Sequence, residues 1–107
     1  MITITIFKDS DGICRGLSST GHAEYAKAGE DIVCSAVSAL TLNVINSIEA
    51  FTDDRFTANV DEGLVTFSFT DKDISRESLL LIDSYILGIK GIVDDYSKYI
   101  QILFKEV

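Results

Sequence analysis

The sequence predicts an α+β fold in the order β-β-α-β-β-α-β, one five-stranded sheet packed with two helices. Three observations carry this. Apolar residues alternate with period two at the start of the chain, in its middle and at its end. Two longer segments repeat their apolar residues every three to four positions, as one face of a helix requires. The length, 107 residues, leaves room for a single core, so residues 1–107 are expected to form one domain. With 47% hydrophobic residues and charge spread along the chain, a packed globule is expected rather than disorder.

Ile2, Ile4 and Ile6 lie on one side of the first strand, with Thr3, Thr5 and Phe7 on the other. "DSDG" is turn chemistry, and "ICRGLSST" returns as a weaker strand whose Gly16 suggests a bulge or a close backbone approach. From Ile32 the period changes. Val33, Val37, Leu40, Val44 and Ile48, joined by Ala36, form one helical face, and Asp31 is the expected N-cap. "RFTANV" and "LVTFSF" make a hairpin about Asp61, Glu62 and Gly63, with Val65, Phe67 and Phe69 sharing a face. After "TDKD" a second helix runs to about Asp94, with Leu79, Ile82, Ile86, Ile89 and Val93 beside a second stripe of Leu81, Tyr85, Gly88 and Ile92. Gly88 and Gly91 each cost about 1 kcal/mol against Ala inside a helix, so close packing is expected at both. Leu80 and Leu87, seven apart, project on the opposite side among Asp83, Lys90 and Asp94, a spacing that suits either plain solvent exposure or a subunit contact. "YIQILFKEV" closes the chain as the fifth strand. The pattern leaves open whether both helices cover the same face.

The net charge of −8 and the lack of any basic run argue against direct binding of nucleic acid. An acidic protein attracts a basic polypeptide instead, although from charge alone simple solubility is the stronger reading. The opening "MITITIFKD" lacks the basic start and long apolar run of a signal peptide, and no stretch has ~18 uninterrupted apolar residues. A cytoplasmic protein with no membrane partner is therefore expected, its two cysteines free thiols.

The stretch "TGHAEYAKAGEDIVCSAVSALT" holds the only histidine, His22, and one of those cysteines, Cys34. With Asp31 as cap, Cys34 falls in the first turn of the helix, where free N–H groups and the helix dipole favour a thiolate. Helical geometry turns it about a right angle from the core face, onto a flank with Ser38, Thr41 and Ile45. Residues 23–30 begin with small and polar side chains and read as a loop that brings His22 toward the thiol or covers both. A nucleophilic cysteine needs a base and later an acid, and one imidazole serves as both. On spacing alone the pair also reads as a small buried hydrophobe and an unrelated loop histidine. Cys14, on a strand, has no dipole to activate it. A zinc site from Cys14, His22 and Cys34 lacks paired spacing and a fourth ligand.

"GHA" (Gly21 to Ala23), a short intervening loop and "GEDIVCSAVSALT" (Gly29 to Thr41) together resemble the ribosomal-processing cysteine protease family, Prp. The resemblance covers the whole chain, including its length, acidic balance, "ITI" opening, two helices and final strand. Ser35 stands where the family often has Ala. The resemblance implies a cysteine endopeptidase with Cys34 as nucleophile and His22 as general base and acid, working with no metal and no cofactor. Asp31 and Ser38 occupy motif positions near the pair. The implied substrate is the N-terminal extension of a basic ribosomal protein of the large subunit, cut just after aromatic residues, and the implied assembly is a homodimer. Tyr25 and Gly29 then belong to a loop that orders over the peptide, and N–H groups at the start of the first helix, including that of Cys34, stabilise the oxyanion. The alternative is a non-catalytic, acidic dimeric module that grips the same basic partner, with Cys34 as core.

Overall fold

Strand β1 (Ile2–Lys8) and strand β2 (Cys14–Thr20) pair antiparallel, followed by helix α1 (Ala28–Phe51), the hairpin of β3 (Phe56–Asp61) and β4 (Leu64–Phe69), helix α2 (Arg76–Tyr96) and strand β5 (Ile100–Glu106). This computed structural model describes residues 1–21 and 28–107, and side chains in 1–21 and from residue 32 onward. The sheet order is β3-β4-β2-β1-β5, antiparallel except where β5 runs parallel to β1. The five strands, two helices and their order are those the sequence predicts.

Register places the apolar set on one face. Ile6 is opposite Leu17, Leu17 opposite Phe67, and Ile2 and Ile4 opposite Ile100 and Ile102 of β5. Ile2, Ile4, Ile6, Leu17, Phe67 and Ile100 join Val33, Val37, Val44 and Ile48 of α1 and Ile82, Ile86 and Ile89 of α2 in one buried cluster. Both helices therefore cover the same face. Each such side chain contributes about 1.5–3 kcal/mol on leaving water. The other face carries Thr3, Ser18, Thr66, Ser68 and Gln101, and the Gln101 amide donates to Thr3 Oγ1 at 3.0 Å.

Gly16 is a close approach, as its position in a strand suggested: a Cβ there would lie 2.4 Å from the carbonyl oxygen of Phe67 on β4. Gly88 lies under Leu40 of α1, where a Cβ would meet Cδ1 at 3.0 Å. Gly91 does not fit the expectation. Nothing lies within 4 Å of a Cβ built on it, because it faces outward on α2.

Two polar links fasten the helices. Thr41 Oγ1 of α1 and the Tyr85 hydroxyl of α2 lie 2.9 Å apart, both buried. Where α1 ends, the Asp54 carboxylate accepts from the Ser75 backbone N–H at 3.2 Å and from the hydroxyls of Ser75 and Ser78. Ser75 in turn is the N-cap of α2, its hydroxyl accepting from the Ser78 N–H at 3.1 Å.

Helix α1 starts a turn earlier than expected, at Ala28 instead of Ile32. Asp31 is thus inside the first turn and not its N-cap, and Gly29 is helical instead of belonging to a loop. The turn's sequence explains this: Ala is the strongest helix former, and Glu30 and Asp31 are residue types that first turns favour. Residues Ile32–Phe51 are long and apolar enough, by length and composition alone, to span a membrane. Val33, Val37, Thr41, Val44 and Ile48 of this stretch are buried in the core.

Candidate active site

Cys34 is a free thiol, partly buried, on the flank of α1 that turns away from the centre of the core. It opens into a cavity of about 280 Å3 between that flank and the β3–β4 hairpin tip. Val37, Ser38, Thr41 and Leu42 continue the α1 wall, Val60 to Val65 form the opposite one, and Ile2, Ser19 and Gly21 close the end. The flank predicted from helical geometry is therefore correct for Cys34, Ser38 and Thr41. Ile45, one turn further on, is buried in the core.

Gly21 fixes where the chain leaves β2. Its φ of 98° is one that L side chains rarely adopt, and a Cβ would lie 2.2 Å from the carbonyl oxygen of Met1. Its N–H donates to the Gly63 carbonyl at 3.0 Å, pinning this point to the hairpin tip. Gly21 thus lines the same cavity as Cys34, and the next residue in the chain is His22. His22 and Tyr25 themselves lie outside the described residues, as do the side chains of Gly29 and Asp31.

The early start of α1 corrects the expected source of thiol activation. Cys34 is the seventh residue of the helix, about 9 Å along its axis from Ala28 at ~1.5 Å per residue. The dipole's influence falls off within the first turn. The Cys34 N–H, beyond the four free donors of the helix start, belongs to the helical ladder and is not an open oxyanion donor.

Cys14 is at the far end of β2, about 20 Å from Thr20 at ~3.3 Å per residue. Its thiol donates to the Gly16 carbonyl at 3.3 Å. Burial pushes it above the usual thiol range, only partly opposed by that hydrogen bond. It is a core residue, and with Cys34 at the other end of the strand the two cannot share a metal. Among the described residues no three histidine, cysteine or acidic side chains converge on a metal position.

Sequence reasoning missed the opposing wall. Val60, Asp61, Glu62 and Leu64 read as an ordinary hairpin, and only the sheet order carries its tip across to α1.

The family model of the cysteine protease Prp matches residues 1–101. The ribosomal processing cysteine protease Prp of Staphylococcus aureus is 27% identical over 106 residues, covering 98% of this chain and 100% of the relative. That of Bacillus subtilis is 27% identical over 107 residues, with 95% and 96% covered. The crystal structure of the Staphylococcus aureus protease with a covalently linked product peptide superposes with a TM-score of 0.88 at 27% identity, covering 98% of this chain and 100% of that one. A match of this extent, on a fold with a free thiol opening into a cavity, makes the chain a member of the Prp family of ribosomal-processing cysteine proteases.

Proposed function

We propose that this protein removes the N-terminal extension of a large-subunit ribosomal protein, cutting after aromatic residues, with Cys34 as nucleophile and His22 as its base and acid. The observation that carries this reading is the cavity that holds the Cys34 thiol and also Gly21, the residue preceding His22. The relatives' ribosomal processing activity and the peptide bound to one of them support the same substrate class. The net charge of −8 suits a basic ribosomal partner in the cytoplasm, drawing it in by long-range attraction.

In this mechanism His22 takes the proton of Cys34, and the thiolate adds to the carbonyl carbon of the scissile peptide bond. The tetrahedral intermediate collapses, the C–N bond breaks, and His22 protonates the departing amine. Water, deprotonated by the same imidazole, then attacks the thioester and releases the acid and the thiol. Ser38, one helical turn from Cys34, borders the thiol on the cavity wall. Asp31 is the proposed orienting partner of His22, and Tyr25 and Gly29 belong to the segment that meets the peptide. Asp31→Asn with little loss of kcat would remove Asp31 from this role.

Cleavage of a peptide spanning the extension, read by mass spectrometry, tests the reading. The wild type should make one cut after the aromatic residues, and Cys34→Ala should make none while still binding. No cut by the wild type despite measured binding would instead favour a non-catalytic module.

The working unit is proposed to be a homodimer joined through α2. Leu80 and Leu87 are 70% and 74% exposed on its outer side. Leu87→Glu should convert dimer to monomer in analytical ultracentrifugation, and an unchanged sedimentation coefficient would rule this face out.

A further inference from the structure

Ser19 breaks the apolar pattern of the sheet. Alternation along β2 puts it on the helix-facing side with Leu17, and register sets it between Ile4 of β1 and Val65 of β4. Among the described strand residues it carries the only hydroxyl on that side. It is half-buried, and its side chain makes no hydrogen bond to another described residue. A hydroxyl among aliphatic side chains costs free energy unless it finds a partner. Ser19 also closes the end of the cavity into which the Cys34 thiol opens. Its place there suits a partner that exists only during a reaction.

The proposed cleavage creates such a partner. When the thiolate adds to the scissile carbonyl, the π pair of C=O moves onto oxygen, and the resulting alkoxide needs a hydrogen-bond donor. The Cys34 N–H belongs to the helical ladder, and the Gly21 N–H is held by the Gly63 carbonyl at 3.0 Å. Among the described residues the cavity offers three hydroxyls, those of Ser19, Ser38 and Thr41. Thr41 is engaged with Tyr85 at 2.9 Å, and Ser38 is exposed on the same helix as the thiol. The Asp61 and Glu62 carboxylates can only accept. We infer that the Ser19 hydroxyl is the side-chain donor to the oxyanion. The inference rests on the reading of Cys34 as nucleophile. Between Ile4 and Val65 the local dielectric is low, which strengthens a hydrogen bond to a full negative charge. Ser19 keeps its proton throughout. As the C–N bond breaks, the electron pair returns from oxygen and restores the carbonyl of the thioester; the same bond forms again when water adds.

The test compares wild type, Ser19→Ala and Ser19→Thr on one cleavable peptide, with circular dichroism and melting curves to verify the fold. Ser19→Ala should lower kcat by on the order of 10–100-fold. KM should stay within about twofold, because the hydrogen bond forms in the transition state and not with the bound peptide. Ser19→Thr, which keeps the hydroxyl, should recover most of the rate. Alkylation of Cys34 by iodoacetamide, a displacement that forms no oxyanion, should proceed equally fast in all three. A kcat within about twofold of wild type in Ser19→Ala overturns the inference, as does a loss confined to KM. Alkylation slowed in proportion to kcat also overturns it, since Ser19 would then act through the thiol. A wild type that cleaves nothing, or a Cys34→Ala that still cleaves, overturns the catalytic reading and the oxyanion donor with it. Cys34-dependent cleavage undiminished in Ser19→Ala refutes the donor alone.

Discussion

Tyr85→Phe removes one oxygen atom from the joint between the two helices, and its effect can be worked from the structure. Thr41 and Tyr85 are 1% and 3% exposed, and their hydroxyls lie 2.9 Å apart, so neither has water as a ready substitute partner. An intramolecular hydrogen bond contributes about 0.5–1.5 kcal/mol net, while a buried hydroxyl left unpaired costs about 1–3 kcal/mol. Thr41 is helical and can turn its hydroxyl to the carbonyl four residues back, which puts the loss at about 1–1.5 kcal/mol. At ~4–8 °C per kcal/mol for a small domain, Tm should fall by roughly 4–12 °C. Thr41→Val should cost about 1–2 kcal/mol, since Tyr85 has no comparable fallback. The double variant should cost little more than either single one, a coupling of about 1 kcal/mol in urea unfolding. Losses that simply add, to within about 0.3 kcal/mol, would refute the argument. There is also a signature in pH. Burial pushes the Tyr85 phenol up to about 12, against the smaller opposing effect of the Thr41 hydrogen bond. The folded state therefore holds this proton more tightly than the unfolded chain, whose phenol titrates near 10. The corresponding stability is complete below pH ~10 and is lost as pH rises toward ~12; Tyr85→Phe should flatten that part of the profile.

Asp54 predicts the opposite slope at the acid end. Burial raises its carboxyl, but hydrogen bonds from Ser75, Ser78 and Thr52 outweigh burial and hold it below the usual 3.8. Its contribution is present above that value and lost as pH falls through the lower folded pKa, and Asp54→Asn should remove that slope in acid-unfolding curves. Asp54→Ala should cost about 1–2 kcal/mol, because the fully buried Ser78 hydroxyl keeps only Thr52, at 3.3 Å. The two α2 glycines should separate in thermal melts. Gly91→Ala meets no atom within 4 Å and should stabilise by about 0.5–1 kcal/mol; Gly88→Ala, pressing on Leu40 at 3.0 Å, should gain distinctly less. Equal shifts would mean that Leu40 yields freely.

The sequence by itself determined the elements and the thiol. A strand hides every second residue, so Ile2, Ile4 and Ile6 could have only one buried side, and the 3.6-residue period of Val33, Val37, Leu40 and Val44 put Cys34 on a flank before any contact was known. The motif about His22 and Cys34 was equally legible, because it is a local run of residues. Helix α1 was harder to delimit: its core-facing pattern starts at Val33, but backbone propensity carries the helix back to Ala28, and that separates Cys34 from the helix end. Tertiary structure alone decided that both helices share one face and that Val60 and Leu64 stand across from the thiol. Neither follows from periodicity, which reports which side of an element is apolar and never what that side meets. The opposing wall depends on β4 pairing with β2 and not with β1, a choice made by packing and register between segments far apart in the chain.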